Sequence, residues 1–241
     1  MKYFFSIVLV CGSIISVFSQ ADEPQKKKAP VEVKKIDTVK VSYVPTGIRI
    51  GTDLISIGKS QFDTKFNGWE VNADIDFYRY YLAIDYGNWA KQLDIKNGTY
   101  ENSGNYFRVG ADVNFLLKDP DRNMFFMGYR YGKSNFDHSS NYIKYFVVDP
   151  QYGLSSSDTG VNAHWMELTS GLRVKIWKMI WMGYTARFKF APRAKGYNEM
   201  QPFDIPGYGL FEKKIYWGFN YQIFFKIPVR KKEKPTSIFS K

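Results

Sequence analysis

Few residues in this chain carry chemistry at a recognised spacing. There are two histidines, His138 and His164, and neither has a second histidine or a close carboxylate at a metal-ligand spacing. His138 opens the string His138-Ser139-Ser140-Asn141. Read from the residues alone, a Ser/Asn cluster such as this is ordinary loop composition. Three carboxylates, Glu70, Asp74 and Asp76, share one parity of a strand-like stretch. Alone they could form an acid/base or metal cluster. Asp112, Glu167, Arg49, Arg108, Arg130, Arg173, Arg187 and Lys189 recur at equivalent positions of later stretches. Charges gathered in one interior must be paired, so the better reading of all eleven is a structural polar network. The only cysteine, Cys11, lies in the N-terminal apolar run, which leaves the rest without disulfide or thiolate chemistry. Neither a Gly-rich phosphate loop nor a GxSxG string occurs, and nothing implies a cofactor.

The elements that position these residues are strands. In WEVNADIDFYRYYLAIDY, Trp69 to Tyr86, apolar residues alternate first on odd positions (Trp69, Val71, Ala73, Ile75, Phe77) and then on even ones (Tyr80, Leu82, Ile84, Tyr86). Period-two alternation marks a two-faced strand, and the change of parity at Tyr78-Arg79 marks a hairpin. The same alternation predicts strands over 46–57, 106–115, 125–131, 166–176, 180–190 and 215–227. Eight strands result, with long connections after the first, third, fifth and seventh and short ones after the second, fourth and sixth. The longest connection, 133–163, mixes aromatics with Ser and Asn and is the expected surface for an extracellular partner. Within it Ile143 to Val148 could add a short strand.

Volume decides which face points out. The interior of an eight-stranded barrel is only just wide enough for side chains, and the apolar faces supply too many bulky residues to fit there. The opposite faces carry Gly, Asn, Thr and the charged set. The expected fold is all-β, an eight-stranded antiparallel up-and-down transmembrane β-barrel with lipid against the apolar face. A soluble periplasmic ligand-binding barrel is the competing architecture. Trp69, Tyr80, Tyr86, Trp89, Trp165, Trp177, Trp181 and Trp217 fall near strand ends and are the expected interfacial anchors.

The ends suit this reading. Lys2 precedes an apolar run from Tyr3 to Phe18, followed by Ser19 and Ala21, which predicts a signal peptide over 1–21 with cleavage after Ser19 or Ala21. Val10 before Cys11 is not small, which argues against a lipoprotein acceptor. A basic arm over 22–44 and a basic tail over 229–241 flank the barrel at 45–228. The net charge of +11 sits largely in these ends. For a secreted chain, anionic lipid head groups or surface polysaccharide are more natural counter-charges than nucleic acid, and solvated tails that hold no specific partner are the leading expectation. An even strand number puts both termini in the periplasm of a monomeric outer-membrane barrel.

Two resemblances stand in the sequence, of which only the first carries over residues. His138-Ser139-Ser140-Asn141 is similar to the His-x-Ser-Asn string of outer-membrane lipid A deacylases, and the resemblance implies lipid hydrolysis with Ser140 as nucleophile and His138 as base; the glutamate that orients the histidine in those enzymes has no counterpart between Asn141 and Glu167, so Asp149 or Asp158 would have to serve. More broadly, PTGIRIGTDLISIG, FYRYYLAIDYGNW, GNYFRVGADVNFLL and MGYRYGKSNF together resemble an uncharacterised family of outer-membrane β-barrel proteins from Bacteroidota, over roughly Pro45 to Ile227. That resemblance implies strands rather than chemistry. It makes a structural or surface-recognition role the leading expectation, with no enzymatic activity. Outer-membrane barrels usually close on a C-terminal aromatic, whereas here VRKKEKPTSIFSK follows the last strand.

Overall fold

The computed structural model describes residues 43–117, 119, 123–144, 152–198 and 200–229. The expected signal peptide, most of the basic arm, nearly all of the basic tail and Asp149 lie outside the described residues. Eight strands form one antiparallel sheet: β1 Gly47–Asp53, β2 Phe66–Phe77, β3 Tyr80–Ile95, β4 Gly98–Asn114, β5 Met124–Lys144, β6 Tyr152–Trp177, β7 Ile180–Lys195 and, last in the chain, β10 Ile215–Pro228. Each pairs with its sequence neighbour. The sheet closes in a ring where β1 meets β10, with Gly47 opposite Pro228 and Asp53 opposite Gln222. Between β7 and β10 a two-stranded hairpin forms from β8 Asp204–Ile205 and β9 Gly209–Leu210. Among the described residues no helix is long and apolar enough to cross a membrane.

One end of the ring carries tight reversals at Tyr78-Arg79 and Lys178-Met179, where Tyr78 and Lys178 take positive φ. At the far end the structure departs from the expected loops. The long connection predicted after the third strand is mostly strand: β3 runs to Ile95 and β4 starts at Gly98, with Asn97 at positive φ in the turn. The connection over 133–163 is likewise mostly paired strand, with β5 reaching Lys144 and β6 starting at Tyr152. Ile143 and Lys144 therefore belong to β5, and 145–148 lie outside the described residues. Each polar stretch finds its hydrogen bonds in an equally polar neighbour, so pairing continues above the apolar part of the sheet.

β1 is shorter than the alternation suggested. At Leu54 the chain enters α1 (Leu54–Phe62) instead of continuing to Ile57. Asp53 causes the change: its carboxylate accepts from Ile55 and Ser56 N–H at the helix start and from Tyr221 N–H of β10 at 3.0 Å. Ser60 and Gly68 exchange hydrogen bonds at 2.7 Å, which lays α1 against β2.

The two faces of the sheet follow sequence parity. Along β6 the outward residues are Met166, Leu168, Ser170, Leu172, Val174 and Ile176, and along β5 they are Phe125, Met127, Tyr129 and Tyr131. Over this band the outward positions of all eight strands carry no Asp, Glu, Lys or Arg. Above it the outward side chains become polar. Asn88, Asn105, Asn135 and Asn162 are successive cross-strand partners on β3 to β6. The Asn88 amide donates to Asn105 Oδ1 at 2.9 Å, and Asn135 to Asn162 Oδ1 at 3.4 Å.

Candidate functional site

The interior has two layers. Level with the apolar band it is charged; beyond it, toward the far end, it is aromatic. The charged layer is centred on Asp85 of β3. Asp85 Oδ2 lies 2.8 Å from Arg130 Nη1, 3.0 Å from Arg187 Nη2 and 3.3 Å from Arg108 Nε, and Oδ1 accepts from Asn72 at 2.8 Å. Around this hub Asp74 joins Arg49 and Arg173, each at 2.7 Å. Asp112 takes Arg130 at 2.8 Å, and Glu167 takes Arg187 at 3.0 Å. Glu70 pairs with Arg108 and accepts from the Tyr106 hydroxyl at 2.8 Å. The Arg173 guanidinium also lies between the rings of Phe126 and Phe224, 4.6 and 4.8 Å from their centroids.

The structure thus brings together Arg49, Glu70, Asp74, Arg108, Asp112, Arg130, Glu167, Arg173 and Arg187. It sends two residues elsewhere. Asp76 sits at the short-turn end and accepts from Thr46 and Gly47 N–H at 2.6 and 3.0 Å, with Lys226 at 3.6 Å. Lys189 sits higher and donates to the Gly207 and Tyr208 carbonyls at 2.7 and 3.0 Å. Asp85 was missing from the expected network. Its parity, shared with Tyr81 and Ala83, was the signal that placed it inside.

The aromatic layer comprises Tyr106, Phe136, Val161, Ala163, Trp165, Ile205 and Tyr208. The last two come from the β8–β9 hairpin, which folds into the far end of the ring. Tyr100 hydroxyl and Asn102 Nδ2 both donate to the Asp204 carbonyl, at 3.1 and 2.7 Å, and Lys91 reaches the Asp204 carboxylate at 3.0 Å. Gly207 turns the hairpin at φ +83°, and a Cβ there would lie 2.6 Å from the Tyr106 ring. Burial pushes the Tyr208 hydroxyl up to about 12, so it stays a neutral donor to the Lys213 carbonyl. Beneath the hairpin and beside α1 is a cavity of about 350 Å³, lined by Glu70, Trp89, Tyr106, Arg108, Lys189 and Tyr216 among others.

This layering corrects the assignment of aromatic anchors. Trp165 and Trp181 point inward and are buried, and Trp89 packs against the inner cluster. Parity explains all three, because each lies one residue off the outward register. Trp69, Tyr80, Tyr86, Trp177 and Trp217 are exposed on the outside.

His138 and Ser140 also face inward on β5, and both are buried. Asp158 is the cross-strand partner of His138, with Oδ2 3.9 Å from Nε2. Asp158 also accepts from Asn198 and Met200 N–H at 2.9 and 3.3 Å. Burial draws the His138 imidazole below its ordinary range against the opposing pull of Asp158 and Asp137. Among the described residues neither ring nitrogen of His138 nor the Ser140 hydroxyl has a hydrogen-bond partner, so serine and histidine are not hydrogen-bonded to each other. Among the described residues no group of three or more His, Cys, Asp or Glu could hold a metal ion.

A family model described as a domain of unknown function, DUF6048, matches residues 1–232. The chain belongs to the DUF6048 family. The DUF6048 match spans every strand of the ring, α1 and the β8–β9 hairpin, so charged and aromatic layers both fall within it. No curated protein matches this DUF6048 chain. The carboxylates of the charged layer are each engaged by arginine or by an amide or hydroxyl donor, which suits a rigid filled interior better than acid/base work.

Proposed function

We propose that this chain is an outer-membrane β-barrel, of the kind its resemblance to Bacteroidota outer-membrane proteins implies, and that it serves as a non-enzymatic structural or recognition protein at the cell surface. One observation carries the reading: the outward face is free of charge over a band whose interior is full of charge. A soluble barrel has the reverse arrangement, and the cost of burying unpaired ions forbids charges on a lipid face. The outward run on β6, Met166 to Ile176, has the length a tilted strand needs to cross a bilayer, about 9 to 11 residues.

In this reading the short-turn end and both termini are periplasmic, and the far end projects from the cell. The paired extensions of β3 to β6 form a stiff collar there with a polar outer surface, including Ser103, Asp137, Ser139 and Ser157. A groove of about 450 Å³ crosses this collar at residues 101–103, 137–139 and 157–159 and is the natural seat for an extracellular partner. The charged layer and the hairpin fill the interior, so the barrel is closed to large solutes. Membrane fractionation combined with heat-modifiable gel mobility tests the assignment. A compact band in the outer-membrane fraction that shifts on boiling supports it, and recovery in the soluble periplasm refutes it.

The His138–Asp158 contact favours a second reading, lipid hydrolysis with Ser140 as nucleophile. It needs a rotation that brings the Ser140 hydroxyl to His138. Mass spectrometry of lipid A from cells carrying the wild type or Ser140→Ala decides it, and identical acylation removes the enzyme.

A further inference from the structure

At the upper edge of the apolar band one sector of the wall differs from the rest. Lys133 on β5 is the cross-strand partner of His164 on β6, which is the partner of Arg193 on β7; one row further, Asn162 is opposite Lys195. Cross-strand partners share a face, and this is the outward one: Lys133, Arg193 and Lys195 are exposed. Strands lie about 4.8 Å apart, so Lys133 and Arg193 are anchored about 10 Å from each other. The imidazole of His164 between them stacks on Tyr131, with centroids 6.3 Å apart.

Among the described residues none of Lys133, Arg193 and Lys195 forms an ion pair, in contrast to the arginines inside the ring. The outward carboxylate of β5, Asp137, stands four residues above Lys133 and accepts from Gly160 N–H at 2.7 Å. On β3 and β4 the same two rows are uncharged: Phe107 and Tyr86 continue the row of Lys133, and Asn105 and Asn88 that of Asn162. Like charges held this close repel, and among the described residues no ion pair compensates them. Directly below lie Tyr131, Met166 and Phe190 of the apolar face. A molecule satisfying both surfaces has an acyl body and an anionic head.

We propose that Lys133, Arg193 and Lys195 form a docking surface for the anionic, phosphate-bearing headgroup of an outer-leaflet lipid whose chains lie on the apolar face below. The site rests on the membrane-barrel reading. Long side chains with stems over apolar surface and charged heads at the interface suit this position, and attraction to anionic lipid is strongest where the charges stand within a Debye length of the bilayer.

Native mass spectrometry tests it on the full chain, released from a neutral detergent in the presence of dioleoylphosphatidylglycerol or dioleoylphosphatidylcholine. The wild type is expected to retain the phosphatidylglycerol preferentially. The triple variant Lys133→Gln, Arg193→Gln, Lys195→Gln should lower that retention about tenfold, to the phosphatidylcholine level. A charge-matched control, Lys59→Gln, Lys65→Gln, Lys96→Gln, alters exposed lysines away from this row and should retain phosphatidylglycerol like the wild type. Heat-modifiable mobility checks that each variant is folded. Equal retention by wild type and triple variant overturns the site, as does an equal loss in the control. If the protein fractionates as soluble, the membrane reading and the site fall together. If it fractionates with the outer membrane and only the lipid preference is missing, the site alone falls.

Discussion

The indole N–H of Trp165 donates to Glu167 Oε1 at 2.7 Å, two residues along the same inward face of β6. This bond joins the two layers of the interior. Trp165 belongs to the aromatic cluster under the hairpin, and Glu167 holds Arg187 in the charged layer. Trp165 also lies flat over Gly132, where a Cβ would come within 2.3 Å of the indole. Trp165→Phe keeps most of the ring and deletes the donor to a buried carboxylate. A hydrogen bond to a charged group contributes about 1.5–3 kcal/mol. The expected result is a loss of that order, read as a lower midpoint temperature of heat-modifiable mobility, and Gly132→Val should be worse because bulk must displace the indole.

Asp85 touches three arginines, so its removal exposes the most charge. Asp85→Asn is expected to destabilise the fold by about 3–5 kcal/mol, the usual effect of breaking a buried pair from one side. Asp85→Asn with Arg130→Met should cost less than the sum of the two single changes, because the second removes a cation stranded by the first. Urea unfolding of the detergent-solubilised protein measures both. Strict additivity would show that Asp85 and Arg130 are not coupled.

The outward face yields a depth test. Leu168 lies within the apolar band and Asn135 on the ladder above it, both exposed on adjacent strands. In a bilayer, Leu168→Arg should cost about 2–4 kcal/mol and Asn135→Arg close to nothing. Folding into lipid vesicles followed by denaturant titration compares them. Equal small effects would mean that Leu168 does not face lipid.

His138 should make stability fall on mild acidification. Its pKa in the fold is drawn below the ordinary 6.5 by burial, with Asp158 and Asp137 opposing. An imidazole protonated more readily in the unfolded chain binds protons there first. Its contribution is therefore complete above about pH 6.5 and is lost as pH falls through the folded pKa. The ring stands between Tyr100 and Phe136, at centroid distances of 5.7 and 5.9 Å, so His138→Phe suits the site. That variant should lose less stability than the wild type between pH 7 and pH 5, measured by unfolding midpoint. Identical pH slopes would show that His138 is not the group responsible.

The period-two pattern made much of this fold legible, because a strand exposes alternate residues to opposite surroundings and each residue type declares its surroundings. Strand number, neighbour order and the inward placement of Arg49, Asp74, Arg108, Asp112 and Arg173 all follow from parity. Parity also covers the departures: Asp85 is inward by the same rule, and so are Trp165 and Trp181, whose nearness to strand ends points instead to outer anchors.

Other features had no local signature. The polar stretches of β3 to β6 beyond Tyr86 and Tyr131 resemble loops because neither face is continuously apolar; they are strands because each neighbour supplies the matching hydrogen bonds. The turn into α1 depends on Asp53, whose capping role is visible only once β10 presents Tyr221 N–H beside it. The seating of the β8–β9 hairpin depends on Lys91, Tyr100, Asn102 and Lys189, which come from β3, β4 and β7. The amino-acid sequence by itself determined which side chains share a face, since alternation is a property of one strand, and the bulk of the apolar set indicated which face points out. Only the tertiary structure decided how far the strands run, what fills the ring and which charges meet, since each of these depends on partners distant in the chain.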